Sequence, residues 1–239
     1  MDTSFYTGAR GVRTQQARMD VLSNNISNLN TTGYRMHSSA FLDLLYYNMR
    51  APEGELTTLK AGTGVVQERT DVDFATPGGV TPTGQPMDYA LMDAEGFFML
   101  RDPLTNEITY TRNGHFSASL RANGTFLLIN DDGKLVLDAN RRPILVEDGK
   151  AAVDPGVYTF RNTNGMLAVG DNEFSPVAKN GAPIRVQNPN MRSGHLEMTN
   201  VDLAEEYAKV VEASRAYSYA LKMVQTSDEV EQTINSLRT

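Results

Sequence analysis

VDLAEEYAKVVEASRAYSYALKMVQTSDEVEQTINSL, residues 201–237, contains neither glycine nor proline. Apolar and aromatic residues recur along it at steps near three and four: Leu203, Tyr207, Val210, Val211, Tyr217, Leu221, Val224, Ile234 and Leu237. That period places them on one stripe of an α-helix. Thr199 or Asn200 is the expected N-cap, and Asp202 and Glu205 suit the positive end of the helix dipole. Glu206, Lys209, Glu212, Lys222 and Glu229 fill the other face. A helix of about 35 residues is roughly 50 Å long, well beyond the common globular length, and a stripe near period 3.5 asks for a coiled-coil-like partner.

The other end of the chain supplies one. Phe5, Ala9, Val12, Gln16, Met19, Leu22, Ile26 and Leu29 step along one helical face, and Asn30, Thr31, Thr32 and Gly33 then favour a turn. Residues 1–30 carry three arginines against two aspartates, and residues 200–239 carry seven acids against four bases. That weak complementarity favours pairing the two ends, although an exposed ion pair contributes only about 0–1 kcal/mol.

Between the ends lies a punctuated middle. All ten prolines fall from Pro52 to Pro189. Short runs rich in branched and aromatic residues read as strands: GVVQER, MDYALM, GFFML, EITYTR, GTFLLIN, KLVLD, PILVED, GVYTF and MLAVG. Asn113-Gly114, Asn123-Gly124, Asp132-Gly133, Asn164-Gly165 and Asn180-Gly181 read as hairpin turns. No helical crossover separates the runs, which argues for an antiparallel barrel or sandwich-like domain and against a parallel α/β sheet. The expected fold class is therefore α+β: paired N- and C-terminal helices around a central antiparallel β-rich domain. The expected division is 1–33 (helix and turn, forming an inner helical domain with 195–239), 34–67 (a packed extended arm, then a loop over APEGELTTLKAGTG), 68–194 (β-rich) and 195–239 (C-terminal helix).

Composition narrows the function. The chain has 239 residues, 40% hydrophobic and 21% charged, in the ordinary globular range. A net charge of −7 argues against binding nucleic acid or an anionic membrane non-specifically. With no cysteine there is no disulfide or thiolate chemistry. No apolar run approaches the roughly 18 residues a membrane helix needs, and the first residues, MDTSFYTGARGVRTQQ, lack the features of a cleaved signal peptide. His37, His115 and His195 show no metal-ligand spacing. Gly62-Thr63-Gly64 is a lone GxG, and Asp131-Asp132-Gly133 lacks the rest of a calcium loop. No nucleophile elbow or Walker lysine occurs. The expectation is no enzyme, no cofactor and no metal. Two long amphipathic helices leave apolar surface that something must cover, either the chain's own β domain or further copies of the chain.

Residues 19–34, MDVLSNNISNLNTTGY, resemble the N-terminal signature of the bacterial flagellar axial proteins, the rod, hook and hook-associated subunits. The matching positions are Leu22, Asn24, Asn25, Ile26, Asn28, Asn30, Thr31, Thr32, Gly33 and Tyr34. The tail NVDLAEEYAKVVEASRAYSYALKMVQTSDEV is similar too, at Asn200, Val201, Asp202, Glu205, Arg215, Ala216, Tyr217 and Met223. PTGQPMDYALMDAEGFFML and YTRNGHFS look like the core β sequence of the rod subfamily. The resemblance implies a structural subunit of the flagellar rod that polymerises through its terminal helices into a hollow helical tube crossing the envelope and transmitting torque. Its partners would be further copies of itself, other rod and hook subunits, and the flagellar type III export apparatus, which passes subunits largely unfolded. Its place would be the flagellar basal body. The arm DLLYYNMRAPEGELTTLKAGTGV looks like a shortened distal-rod arm, whereas MDTSFYT looks more like a proximal rod protein; the distal type is favoured. The implied subunit interface comprises Leu22, Asn24, Asn25, Ile26, Asn28, Thr32, Gly33, Tyr34, Asn200, Val201, Leu203, Tyr207, Arg215, Tyr217, Leu221 and Val224. Two other readings stay open: a hook-type subunit, and a secreted or periplasmic binding module whose helices dock on its own β domain. An envelope-remodelling enzyme would need catalytic residues that the sequence does not offer.

Overall fold

The computed structural model describes residues 3–43, 46–50, 56–62, 64–122 and 124–237. It divides into two compact units: Met1–Ile26 with His37–Asp71 and Asp202–Thr239, and Ser27–Met36 with Val72–Val201. The chain thus crosses between units several times, and residues 195–201, read with the C-terminal helix, belong to the β-rich unit.

The first unit holds both helices, α1 (Thr3–Ser27) and α2 (Leu203–Ser236). The N-cap of α2 is Asp202, not Thr199 or Asn200: its Oδ1 accepts from the amides of Ala204 at 2.8 Å and Glu205 at 3.2 Å. The two expected caps are engaged elsewhere. Thr199 Oγ1 accepts from the Val201 amide at 3.2 Å, and Asn200 Oδ1 accepts from the Met36 amide at 2.7 Å. The arm is more regular than its composition suggests. His37–Asp43 pairs with Val65–Val72, and Tyr46–Arg50 pairs antiparallel with Leu56–Gly62. LTTLKAG, expected as loop, is therefore a strand, with Thr57-Thr58 as its β-branched signal. Leu44, Leu45, residues 51–55 and the Asn123 of one expected turn lie outside the described residues.

The second unit is built on Phe97–Arg101. Period-two alternation sends Phe98 and Leu100 into one apolar cluster, with Tyr89, Phe116, Leu128 and Val136, and sends Phe97 and Met99 into another, with Phe74, Tyr110, Tyr158 and Phe174. Burial on both faces explains why GFFML reads as an unbroken apolar run. Edge-to-face contacts tie the second cluster together, Phe74 lying 5.1 Å from Phe97 and 4.9 Å from Phe174.

The central sheet does not close into a barrel. Its path runs Leu167–Gly170, Glu173–Ser175, Ile108–Thr111, Phe97–Arg101, Leu135–Val136, Phe126–Ile129, Ser117–Leu120, with Val157–Thr159 and Ile184–Arg185 branching from it. The reason is local. One side of Phe97–Arg101 pairs with Ile108–Thr111, and the other is shared between Leu135–Val136 and Val157–Thr159. The sheet forks there, and Leu167–Gly170, Ser117–Leu120 and Ile184–Arg185 are its terminal strands among the described residues. All the strand pairs whose register is resolved in this unit are antiparallel. Among the described residues, no helix is long and apolar enough to cross a membrane.

Candidate assembly surface and the contacts that hold it

The two helices meet antiparallel through small residues. Ser4 Oγ lies 2.9 Å from Ser227 Oγ. A Cβ at Gly8 would come within 2.9 Å of Val224 Cγ2, and one at Gly11 within 3.4 Å of Ala220 Cβ. Farther along, Arg18 reaches Glu212 at 3.0 Å and Asn25 reaches Glu206 at 2.9 Å. The seam of α2 therefore runs Glu206, Ala213, Ala220, Val224, Ser227, at heptad-like spacing but poor in large side chains.

Most of the large apolar residues of α2 lie away from that seam. Tyr207 is 54% exposed and Tyr219 69%, and Leu203, Val211, Leu221, Met223, Val230 and Ile234 are exposed as well. At about 100° per residue, Leu203, Tyr207, Val211 and Leu221 fall on one flank of the seam, and Tyr219, Met223 and Val230 on the other. The stripe expected to face α1 is therefore largely outward. Glycine at positions 8 and 11 allows a backbone approach that bulkier residues on the facing helix would block.

At the far end of this seam sits a polar clamp. The Asn25 amide nitrogen donates to the His37 carbonyl at 2.8 Å and to Glu206 Oε2 at 2.9 Å, while its oxygen accepts from the His37 amide at 2.9 Å. Asn25 thus pairs with a backbone as a strand would. Glu206 is buried, and Lys209 Nζ meets its other oxygen at 2.8 Å. Burial also lowers the pKa of His37, which favours its neutral form.

In the second unit, the turn after α1 is seated in a cradle of its own. Gly33 has φ +67°, and a Cβ there would lie 2.4 Å from the Asn113 amide nitrogen, so conformation and space both require glycine. Its amide donates to the Glu197 carbonyl at 2.8 Å. Thr32 Oγ1 donates to Asn113 Oδ1 at 2.8 Å, Tyr34 is buried, and the Met36 carbonyl accepts from the Asp73 amide at 2.9 Å. Beneath the turn lies a buried ion triad. Glu197 Oε1 takes Arg35 Nη2 at 2.6 Å, and Oε2 takes Arg112 Nη2 at 2.8 Å.

The sixteen residues implied as a subunit interface separate into distinct environments. Leu22, Asn25, Gly33, Tyr34 and Val201 are buried within the chain. Ile26, Asn28, Thr32, Asn200, Tyr217 and Val224 are half-buried, while Asn24, Leu203, Tyr207, Arg215 and Leu221 are exposed. The buried group shapes the turn and the helix seam. The exposed group, with Val211, Tyr219, Met223, Val230 and Ile234, is the candidate assembly surface. Sequence reading missed Glu206, Arg35, Arg112 and Glu197. Glu206 was read as one of the charges on the outer face of the helix, and the other three left no local signal.

Comparison with known proteins agrees at both ends. Residues 5–35 match the family described as flagella basal body rod protein, and residues 192–237 match the C-terminal region of the flagellar basal body rod FlgEFG proteins. The flagellar basal-body rod protein FlgG of Bacillus subtilis is 28% identical, over 98% of each chain. FlgG of Borreliella burgdorferi is 29% identical, over 100% of this chain and 99% of its own. FlgF of Caulobacter vibrioides is 27% identical, over 96% of this chain and 95% of its own. A chain matched end to end by such proteins is a structural component of the bacterial flagellum, not an enzyme. More narrowly, what it resembles from end to end is the flagellar basal-body rod protein FlgG, with the rod-protein models matched at both termini.

Proposed function

We propose that this chain is a distal-type rod subunit that polymerises through its terminal helices into a hollow helical tube, which crosses the envelope and transmits torque. In this reading the helices within 1–33 and 195–239 form the inner, coiled-coil-like layer, 34–67 is an arm spanning neighbours, and 68–194 forms the outer tube. The subunit is exported through the flagellar type III apparatus and joins copies of itself and other rod and hook subunits. The observation that carries the proposal is the pair of apolar flanks on α2, typified by Tyr207 and Tyr219. Exposed patches of this kind mark interaction sites. Two unlike flanks suit a heterologous contact, which propagates instead of closing.

The test is hydrogen exchange on the free subunit and on purified basal bodies containing it. The amides of 203–236 should exchange readily in the monomer, because an isolated helix pair gains little from propensity alone, and should be strongly protected in the rod. Equal, strong protection in both states favours the binding-module reading.

A further inference from the structure

The triad beneath Gly33 holds two cations and one anion, and the side chains of Arg35, Arg112 and Glu197 are each 1% exposed or less. Arg112 is fully committed. Its Nε donates to Glu197 Oε2 at 2.9 Å, and its Nη1 and Nη2 reach the carbonyls of Ala94 at 2.8 Å, Gly96 at 2.6 Å and Asp93 at 2.9 Å. Arg35 is held less completely. It donates to the Thr76 carbonyl and to Glu197, but its buried Nε has no acceptor among the described residues. Its pKa is lowered to about 10, first by burial and then by the charge of Arg112, against the opposing pull of Glu197 and Asp73. Glu197 also accepts from the Gly78 amide at 3.1 Å. The three residues come from distant parts of the chain: Glu197 is 162 positions from Arg35 and 85 from Arg112.

We propose that Glu197 is a charge lock on the β-rich unit: Arg35 and Arg112 are tolerated in one buried site only while Glu197 lies between them. The unit then closes only when the turn following α1, the strand end at Arg112 and the strand preceding α2 are all in place. Both chain segments that lead to the helices are checked by one carboxylate. Without it, two mutually repelling cations stay buried with Asp73 as the remaining opposing charge on Arg35, a state that costs much more than the paired one.

The full-length chain tests this by denaturant unfolding, read from the near-ultraviolet circular dichroism of its buried tyrosines. Glu197→Gln should lower the folding equilibrium constant by roughly a hundredfold or more. Arg35→Met alone should cost roughly tenfold or less, because Glu197 keeps Arg112 as its partner. In the Glu197→Gln background, the same Arg35→Met change should raise stability, since it removes one of two facing cations. That reversal of sign is the signature of the lock. If Glu197→Gln does not fold at all, return of a cooperative transition in the double variant supports the lock. An Arg35→Met cost of equal sign and size in both backgrounds, or a double variant that still fails to fold, overturns it.

Discussion

The two units use their apolar residues in opposite ways. In the β-rich unit most phenylalanines and the tyrosines point inward, and Phe97, Phe98, Met99 and Leu100 are completely buried, while Leu104, Leu120, Phe126 and Leu167 at its periphery are exposed. In the helical unit the close contact is made by Ser4, Gly8, Gly11, Ala220 and Ser227, and large side chains are left facing outward. The sheet seals its central strand on both faces, whereas the long C-terminal helix leaves large apolar side chains along both flanks uncovered. The two units therefore differ in where their largest aromatic side chains point: inward from the central strand of the sheet, outward from the long helix.

Substitutions can break that comparison or sharpen it. The largest expected effect is Phe98→Ala, which empties a fully buried site packed edge-to-face on Phe116 at 5.2 Å. It should cost about 3–5 kcal/mol, read from the denaturant midpoint of the β-rich unit. Gly33→Ala comes next. It forces a side chain into positive φ and against the Asn113 backbone, and should cost more than about 2 kcal/mol by the same measurement. Asp202→Ala removes the side-chain cap of α2 and should cost about 1 kcal/mol, seen as lost helicity in far-ultraviolet circular dichroism. Smallest for the monomer is Tyr219→Ala. Truncating an exposed side chain should change stability by less than about 0.5 kcal/mol, yet motility and rod yield should fall sharply. Normal motility, or a monomer destabilised as much as by Phe98→Ala, would show that the outward face of α2 is not held in reserve for neighbours.

The legible parts of this fold were those written in local patterns. Nine short runs between turn residues each marked a strand, because alternation and β-branching act over a few residues, whereas Ser117–Leu120, Glu173–Ser175 and Ile184–Arg185 went unmarked. The helices were legible for the same reason, down to ends within a few residues of Ser27 and Ser236. What the sequence concealed depended on distance. Asn200 looks like a cap until Met36 claims its side chain. Leu203 and Tyr207 look like seam residues until Gly8 and Gly11 reveal how near the facing helix comes. The strand Leu56–Gly62 was hidden by glycine and lysine at its end, and its pairing with Tyr46–Arg50 overrode that weak local preference. Of the candidate site, the Asn-rich signature was visible as a motif. The division between residues that shape the turn and residues that face outward required the burial of each one. Arg35, Arg112 and Glu197 were silent, since a charge in sequence carries no mark of the partner it will meet.

The glycine seam has a mechanical consequence. Where Gly8 and Gly11 face Val224 and Ala220, backbone approaches side-chain stubs directly, with no long rotamers in between. Close-packed protein interiors compress little and transmit strain, whereas a cushion of lysines or methionines would first turn about its bonds. A twist applied to one helix is thus answered by the other with little backlash, in the manner of two splines cut to fit.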